Sequence, residues 1–121
     1  MHILIFCYHG KNRSRYLAEH LVSLGYSDVA FAGVNDSDHE KIQKEIDKAH
    51  VVITVRQNVR DHLHQHYCVD GKRLIELQVD DRPESLFPER GPLSGEAWRA
   101  FQREYVYPVL REQMETYLPL E

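Results

Sequence analysis

The sequence predicts an α/β fold: a three-layer sandwich on a four-stranded parallel sheet, strand order 2-1-3-4, with a loop after strand 1 at the carboxyl edge of the sheet. Three observations predict it. Short apolar runs alternate with amphipathic helical patterns in the order β-α-β-α-β-α-β-α. The first and third runs, Ile3–Phe6 and Val51–Val55, are apolar or β-branched almost throughout, as central parallel strands covered on both faces are. The first run leads straight into a glycine-containing turn and then a helix. Right-handed crossovers between such strands put helices on both faces, and ligands of open α/β sheets bind at the carboxyl edge.

Each element has its own signal. Strand 1 covers Ile3–Phe6. Helix 1 runs from Arg13 to Leu24, with Leu17, Leu21 and Leu24 as its stripe, Ala18 and Val22 widening it, and Gly25 as its stop. Val29–Gly33 is strand 2. Ser37 and Glu40 have capping-box spacing and start a helix through Lys48, with Ile42, Ile46 and Ala49 inward. Val51–Val55 is strand 3, and Asn58–His66 a helix with Val59 and Leu63 inward. After the Asp70-Gly71 turn, Leu74–Val79 is strand 4, its partial alternation fitting an edge position. Residues 80–95, with Pro83, Pro88, Gly91, Pro92 and Gly95, are irregular. Ser94 opens a last helix with Ala97, Trp98, Phe101, Tyr105 and Val109 inward and either a kink or a restart of the helix at Pro108.

The totals bound the answer. A chain of 121 residues makes one domain, 1–121. The net charge of −4 argues against coating a nucleic acid. No stretch reaches the ~18 apolar residues of a membrane span. The first apolar run has no basic segment before it and reads as a strand, not a signal peptide. Cytoplasmic location follows as the expectation, with Cys7 and Cys68 as free thiols. No cofactor or metal is expected, and the oligomeric state is open.

The turn after strand 1, Cys7-Tyr8-His9-Gly10-Lys11-Asn12-Arg13-Ser14, has the makings of an anion site. Backbone N–H groups of a turn and a first helical turn converge there, and the helix dipole favours negative charge. Arg13 adds a planar fork for two oxygens. A cysteine at a helix start beside a guanidinium is a ready nucleophile.

Cys7-x5-Arg13-Ser14 after an apolar strand resembles the low-molecular-weight protein tyrosine phosphatases, in particular a small bacterial branch of predicted tyrosine phosphatases with a loop like Lys11-Asn12-Arg13-Ser14. Ala18-Glu19, Ala32-Gly33 ending strand 2, the segment Asp47–Val55, and Asp80-Asp81 after strand 4 are similar to the family at matching places. The loop motif alone is specific. Four departures stand out. Arg15 replaces the usual proline. Gly10 stands where an asparagine in a left-handed conformation is common, a conformation glycine reaches freely. His9 replaces a small residue, either crowding the cradle or adding a donor at its rim. Asp81-Arg82-Pro83 stands in place of an Asp-Pro pair.

The resemblance implies a cysteine-dependent phosphatase acting on phosphotyrosine or aryl phosphate monoesters, in a phosphorylated protein or a small molecule, through a phosphocysteine. Cys7 attacks phosphorus, where the bland reading is a buried structural cysteine. Arg13 clamps the phosphoryl oxygens, against a solvated first-turn arginine. Ser14 donates to the sulfur, against an ordinary helix-start serine. Asp80 or Asp81 is the general acid, against a solvated acidic pair. Tyr8, His9, Gly10, Lys11 and Asn12 line the substrate. Lys11, Arg15 and Arg82 widen a positive rim or are plain surface charge. Tyr8, Tyr16 and Trp98 could wall an aromatic slot, with Trp98 fitting the core stripe better. His62 and His66 stand at i, i+4, but no third ligand is evident and a solvated face is the expectation. Two other functions fit part of the pattern: a non-catalytic phosphopeptide or oxyanion-binding module, and a phosphocysteine carrier of the sugar-transport type. Arsenate reduction needs two further cysteines as a relay, and beyond Cys7 the chain has only Cys68, so that reading requires an external thiol.

Overall fold

The computed structural model describes residues 1–90 and 93–120. Gly91 and Pro92, named above in the irregular stretch, lie outside the described residues. Four parallel strands, β1 (Ile3–Cys7), β2 (Val29–Gly33), β3 (Val51–Thr54) and β4 (Arg73–Glu76), form a sheet in the order β2-β1-β3-β4. Helices α1 (Arg13–Ser23), α2 (His39–Lys48) and α3 (Gln57–His66) are the crossovers between them. The chain then forms α4 (Pro83–Leu86), a 3-10 turn, α5 (Gly95–Phe101) and α6 (Tyr107–Glu115), with a π turn over Gln102–Val106.

Ile3 pairs with Val29 on one side and Val51 on the other, so β1 is central. All five of its residues are buried, as a strand covered on both faces requires. β4 is an edge, and Arg73, Leu74 and Glu76 are exposed while Ile75 is buried. Strand-like bonding continues past its end: Leu77 N–H donates to Thr54 O and Val79 N–H to Val55 O. That continuation carries the chain to Asp80 and Asp81 beside the end of β1.

The core joins β1 and β3 to Leu17 and Leu21 of α1, Ile42 and Ile46 of α2, Val59 and Leu63 of α3, and Leu110 and Met114 of α6. Each such aliphatic contributes about 1.5–3 kcal/mol by leaving water. Gly25, with φ +107°, follows the C-cap of α1 and stops the helix as expected. Tyr26 N–H reaches Leu21 O and Gly25 N–H reaches Val22 O, which satisfies the last carbonyls.

Three local expectations are corrected. Leu24 and Val22 are exposed, because the helix stops at Ser23 and its inner face runs through Ser14, Leu17, Ala18 and Leu21. The cap of α2 is Asp38, not Ser37: the Asp38 carboxylate accepts from Lys41 N–H, and a charged acceptor suits the positive end of a helix better than a hydroxyl. In the last helical stretch, Ala97, Tyr105 and Val109 are exposed, and burial passes instead through Phe101, Gln102, Val106, Leu110 and Met114. The π turn explains it. Its extra residue advances the helix face, and Pro108 lacks the N–H that a tight helix would need there. The kink expected at Pro108 thus takes the form of a wide turn just before it.

Candidate functional site

Cys7 closes β1, and the chain turns at once over the carboxyl edge of the sheet. Gly10 makes the turn with φ +75°. The loop is laid against β2: Val34 N–H donates to Cys7 O and Asn35 N–H to Tyr8 O. The two backbones approach so closely that neither Gly10 nor Gly33 has room for a Cβ. Those contacts bend the loop round the Cys7 sulfur.

The sulfur is 3.1 Å from Ser14 Oγ and accepts from Gly10 N–H, also at 3.1 Å. Burial alone would raise the thiol. The Ser14 hydroxyl and the backbone N–H groups of Ser14, Asn12 and Gly10 outweigh it and hold Cys7 below the ordinary thiol range. Ser14 is fully buried, with its side chain on the sulfur.

Arg13 is 5% exposed, so it is not a solvated surface arginine. Its Nη1 donates to Val79 O at 2.6 Å, which aims the guanidinium along the end of the sheet. Nε is buried, makes no hydrogen bond, and lies 3.5 Å from Asp81 Oδ2. A buried donor of that kind is satisfied by an anion oxygen.

Asp80 and Asp81 part company. Asp80 accepts from Arg82 through the backbone N–H, Nε and Nη2, and from Ser85 Oγ. Arg56 Nη2 adds an ion pair at 3.3 Å. Burial would raise this carboxyl, but those donors hold it far below the usual carboxylate range. Asp81 instead faces the loop, and its Oδ2 accepts from Asn12 Nδ2 at 3.2 Å.

Cys7, Arg13 and Asp81 share one cleft of about 580 Å³, lined also by Tyr8, His9, Lys11, Asn12, Arg56, Asn58, Arg82 and Trp98. Four cationic side chains and one carboxylate face it, in a chain whose net charge is −4. The local field therefore favours an anion.

No protein-family model and no curated protein matches this chain.

Several expected residues fall elsewhere. Tyr16 stacks on Tyr107, ring centroids 3.9 Å apart, and its hydroxyl accepts from Arg111; it is not among the residues lining the cleft. Arg15 pairs with Glu19 on the exposed face of α1. Trp98, expected in the core, is half-buried and lines the cleft. His9 sits at the rim with its Nδ1 3.0 Å from Asn35 Nδ2, so it does not crowd the sulfur. His62 and His66 have ring centroids 4.4 Å apart, and His62 meets the edge of Tyr8. No group of three or more metal-ligating side chains comes together among the described residues. Cys7 and Cys68 are both free thiols. No described helix is long and apolar enough to cross a membrane.

Four residues went unnoticed in the sequence. Arg56 and Asn58 follow β3, and their place beside the end of β1 is a signal the strand order carries. Gln102 is 1% exposed and joins Asn12 to the Asp81 backbone, while Tyr107 donates to Asn12 Oδ1. No sequence pattern marks either of these two.

Proposed function

We propose that this protein is a cysteine-dependent phosphatase that hydrolyses phosphotyrosine or a related aryl phosphate monoester through a phosphocysteine. One observation carries the reading: a thiol held below its ordinary range lies on the floor of a cationic cleft, with the Arg13 fork and the Asp81 carboxyl in the same cleft.

The Cys7 thiolate attacks phosphorus in line. An S–P bond forms as the P–O bond to the aryl group breaks. Arg13 and the loop N–H groups hold the phosphoryl oxygens while charge spreads over them. Asp81, protonated, gives its proton to the departing phenolate. The resulting carboxylate then takes a proton from water, which attacks phosphorus and breaks the S–P bond. Inorganic phosphate is released and the Cys7 thiolate is regenerated, the Ser14 hydroxyl stabilising the sulfur as its bond to phosphorus breaks. The ion pairing of Asp80 supports Asp81 rather than Asp80 as the acid, since a carboxyl held so strongly ionised has no proton to give. Tyr8 and Trp98, both lining the cleft, suit an aryl ring.

The test is para-nitrophenyl phosphate turnover by the wild type and by Cys7→Ser. The expected loss exceeds about a thousandfold. Turnover that survives the substitution overturns the mechanism. A phosphocysteine that accumulates and passes its phosphoryl group to a second protein, without release of phosphate, would assign the chain to phosphoryl carriage instead.

A further inference from the structure

Asp81 is held by two amides that belong to distant parts of the chain. Gln102 Nε2 donates to the Asp81 backbone oxygen at 2.9 Å, and Gln102 Oε1 accepts from Asn12 Nδ2 at 2.7 Å. The same Asn12 Nδ2 donates to Asp81 Oδ2 at 3.2 Å. Tyr107 closes the set by donating its hydroxyl to Asn12 Oδ1 at 2.6 Å. Burial raises the Tyr107 phenol, which keeps this donor protonated.

The chain of bonds has one consistent sense. Asn12 Oδ1 accepts from the phenol, so its NH2 faces Asp81 and Gln102. Gln102 must then offer its oxygen to Asn12 and its NH2 to the Asp81 carbonyl. Reversing Gln102 would set NH2 against NH2 and oxygen against oxygen. Gln102 is 1% exposed, and a buried amide that meets its partners in only one orientation fixes where they stand. Gln102 opens the π turn and is buried, while Tyr105 in the same turn is exposed.

We propose that Gln102 is a positioning residue: through Asn12 and the Asp81 backbone it sets the Asp81 carboxyl relative to the Cys7 loop, with Tyr107 fixing the orientation of Asn12. The inference rests on the phosphatase reading given above. It assigns the π turn a task, which is to tie the C-terminal helix to the loop and the acid at once. Gln102 touches no reacting atom, so its influence falls on the step that needs Asp81 to deliver a proton.

Leaving-group dependence tests this. A phenyl phosphate leaving group needs a proton, whereas 2,4-dinitrophenolate departs without one. Gln102→Leu and Tyr107→Phe are compared with the wild type on both substrates, with melting temperatures measured alongside. The expected result is a loss of kcat/KM, which reports the steps through aryl release and not the phosphocysteine hydrolysis common to both esters, roughly tenfold larger on phenyl phosphate than on 2,4-dinitrophenyl phosphate. Gln102→Leu shows the larger difference, and Tyr107→Phe, which keeps the ring stack on Tyr16, a smaller one in the same direction. Equal losses on the two substrates, or none, overturn the proposal, because a residue that only packs does not distinguish leaving groups. If Gln102→Leu fails to fold, Tyr107→Phe decides by the same ratio. Failure of the underlying reading looks different: the wild type would then show no Cys7-dependent turnover of either ester.

Discussion

Gly10 and Gly33 meet backbone to backbone. A Cβ at Gly10 would stand 2.3 Å from Gly33 N, and a Cβ at Gly33 would stand 2.5 Å from the carbonyl carbon of His9. This contact joins the loop to the end of β2 and gives the loop its curvature. Gly71 makes a contrast, since its φ is +79° but nothing lies within 4 Å of a Cβ built there. Gly33→Ala is therefore expected to destabilise the protein by about 1–3 kcal/mol through backbone displacement. It should also weaken oxyanion binding, because the loop must move. Thermal melting reads the first effect. Orthovanadate titration followed by the fluorescence of Trp98, the single tryptophan and a cleft residue, reads the second. Unchanged melting and unchanged vanadate affinity would refute the account of the contact.

The thiol of Cys7 is held down against burial by the Ser14 hydroxyl and three backbone N–H groups. Removing the hydroxyl leaves burial in place and takes away the largest opposing influence. In Ser14→Ala the pH midpoint for iodoacetamide alkylation of Cys7 should move up, toward the ordinary thiol value of about 8.5. The two proteins should differ most between the two midpoints, where the wild type is thiolate and the variant is thiol. A midpoint that stays put or moves down would show that the amides alone set the sulfur.

Asp80 and Asp81 should separate cleanly by experiment. Asp81→Asn is expected to lower kcat on phenyl phosphate by about a hundredfold or more, with little change in melting. Asp80→Asn should lower the melting temperature instead, since it removes the negative charge and replaces one of the two oxygens that accept from Arg82, Ser85 and Arg56 with an NH2 donor. The sign of the pH dependence follows from the depressed Asp80 carboxyl. Its contribution to stability is fully present above the unfolded value of about 3.9 and is lost as pH falls toward the folded value. The melting difference between wild type and Asp80→Asn should therefore be constant near neutrality and shrink in acid. A difference that grows in acid would refute the assignment.

How much of this was legible beforehand differs by residue. β1, β3 and the crossover helices α2 and α3 could be read from the sequence because their signals are local: β-branched runs, apolar spacing of three and four, and turn residues at their ends. The loop after β1 was legible for the same reason, its cysteine, glycine, arginine and serine lying within eight consecutive residues. Ser37 failed as a cap because two adjacent residues both had the chemistry, and only the backbone geometry chose Asp38.

By itself, then, the sequence determined the sheet, its crossovers and a cysteine-bearing loop at the carboxyl edge. Tertiary structure decided which acid faces that loop, which aromatic lines the cleft, and what holds the acid in place. Neighbouring aspartates on an extended chain are identical in composition and differ only in direction, and direction comes from Arg56 and Arg82 on one side and Asn12 on the other. Trp98, Gln102 and Tyr107 lie before, at the start of and just after a π turn, which changes the helix phase between them. A one-residue shift of phase leaves the apolar spacing before and after it intact, so it is settled by packing across the whole fold rather than by any local pattern.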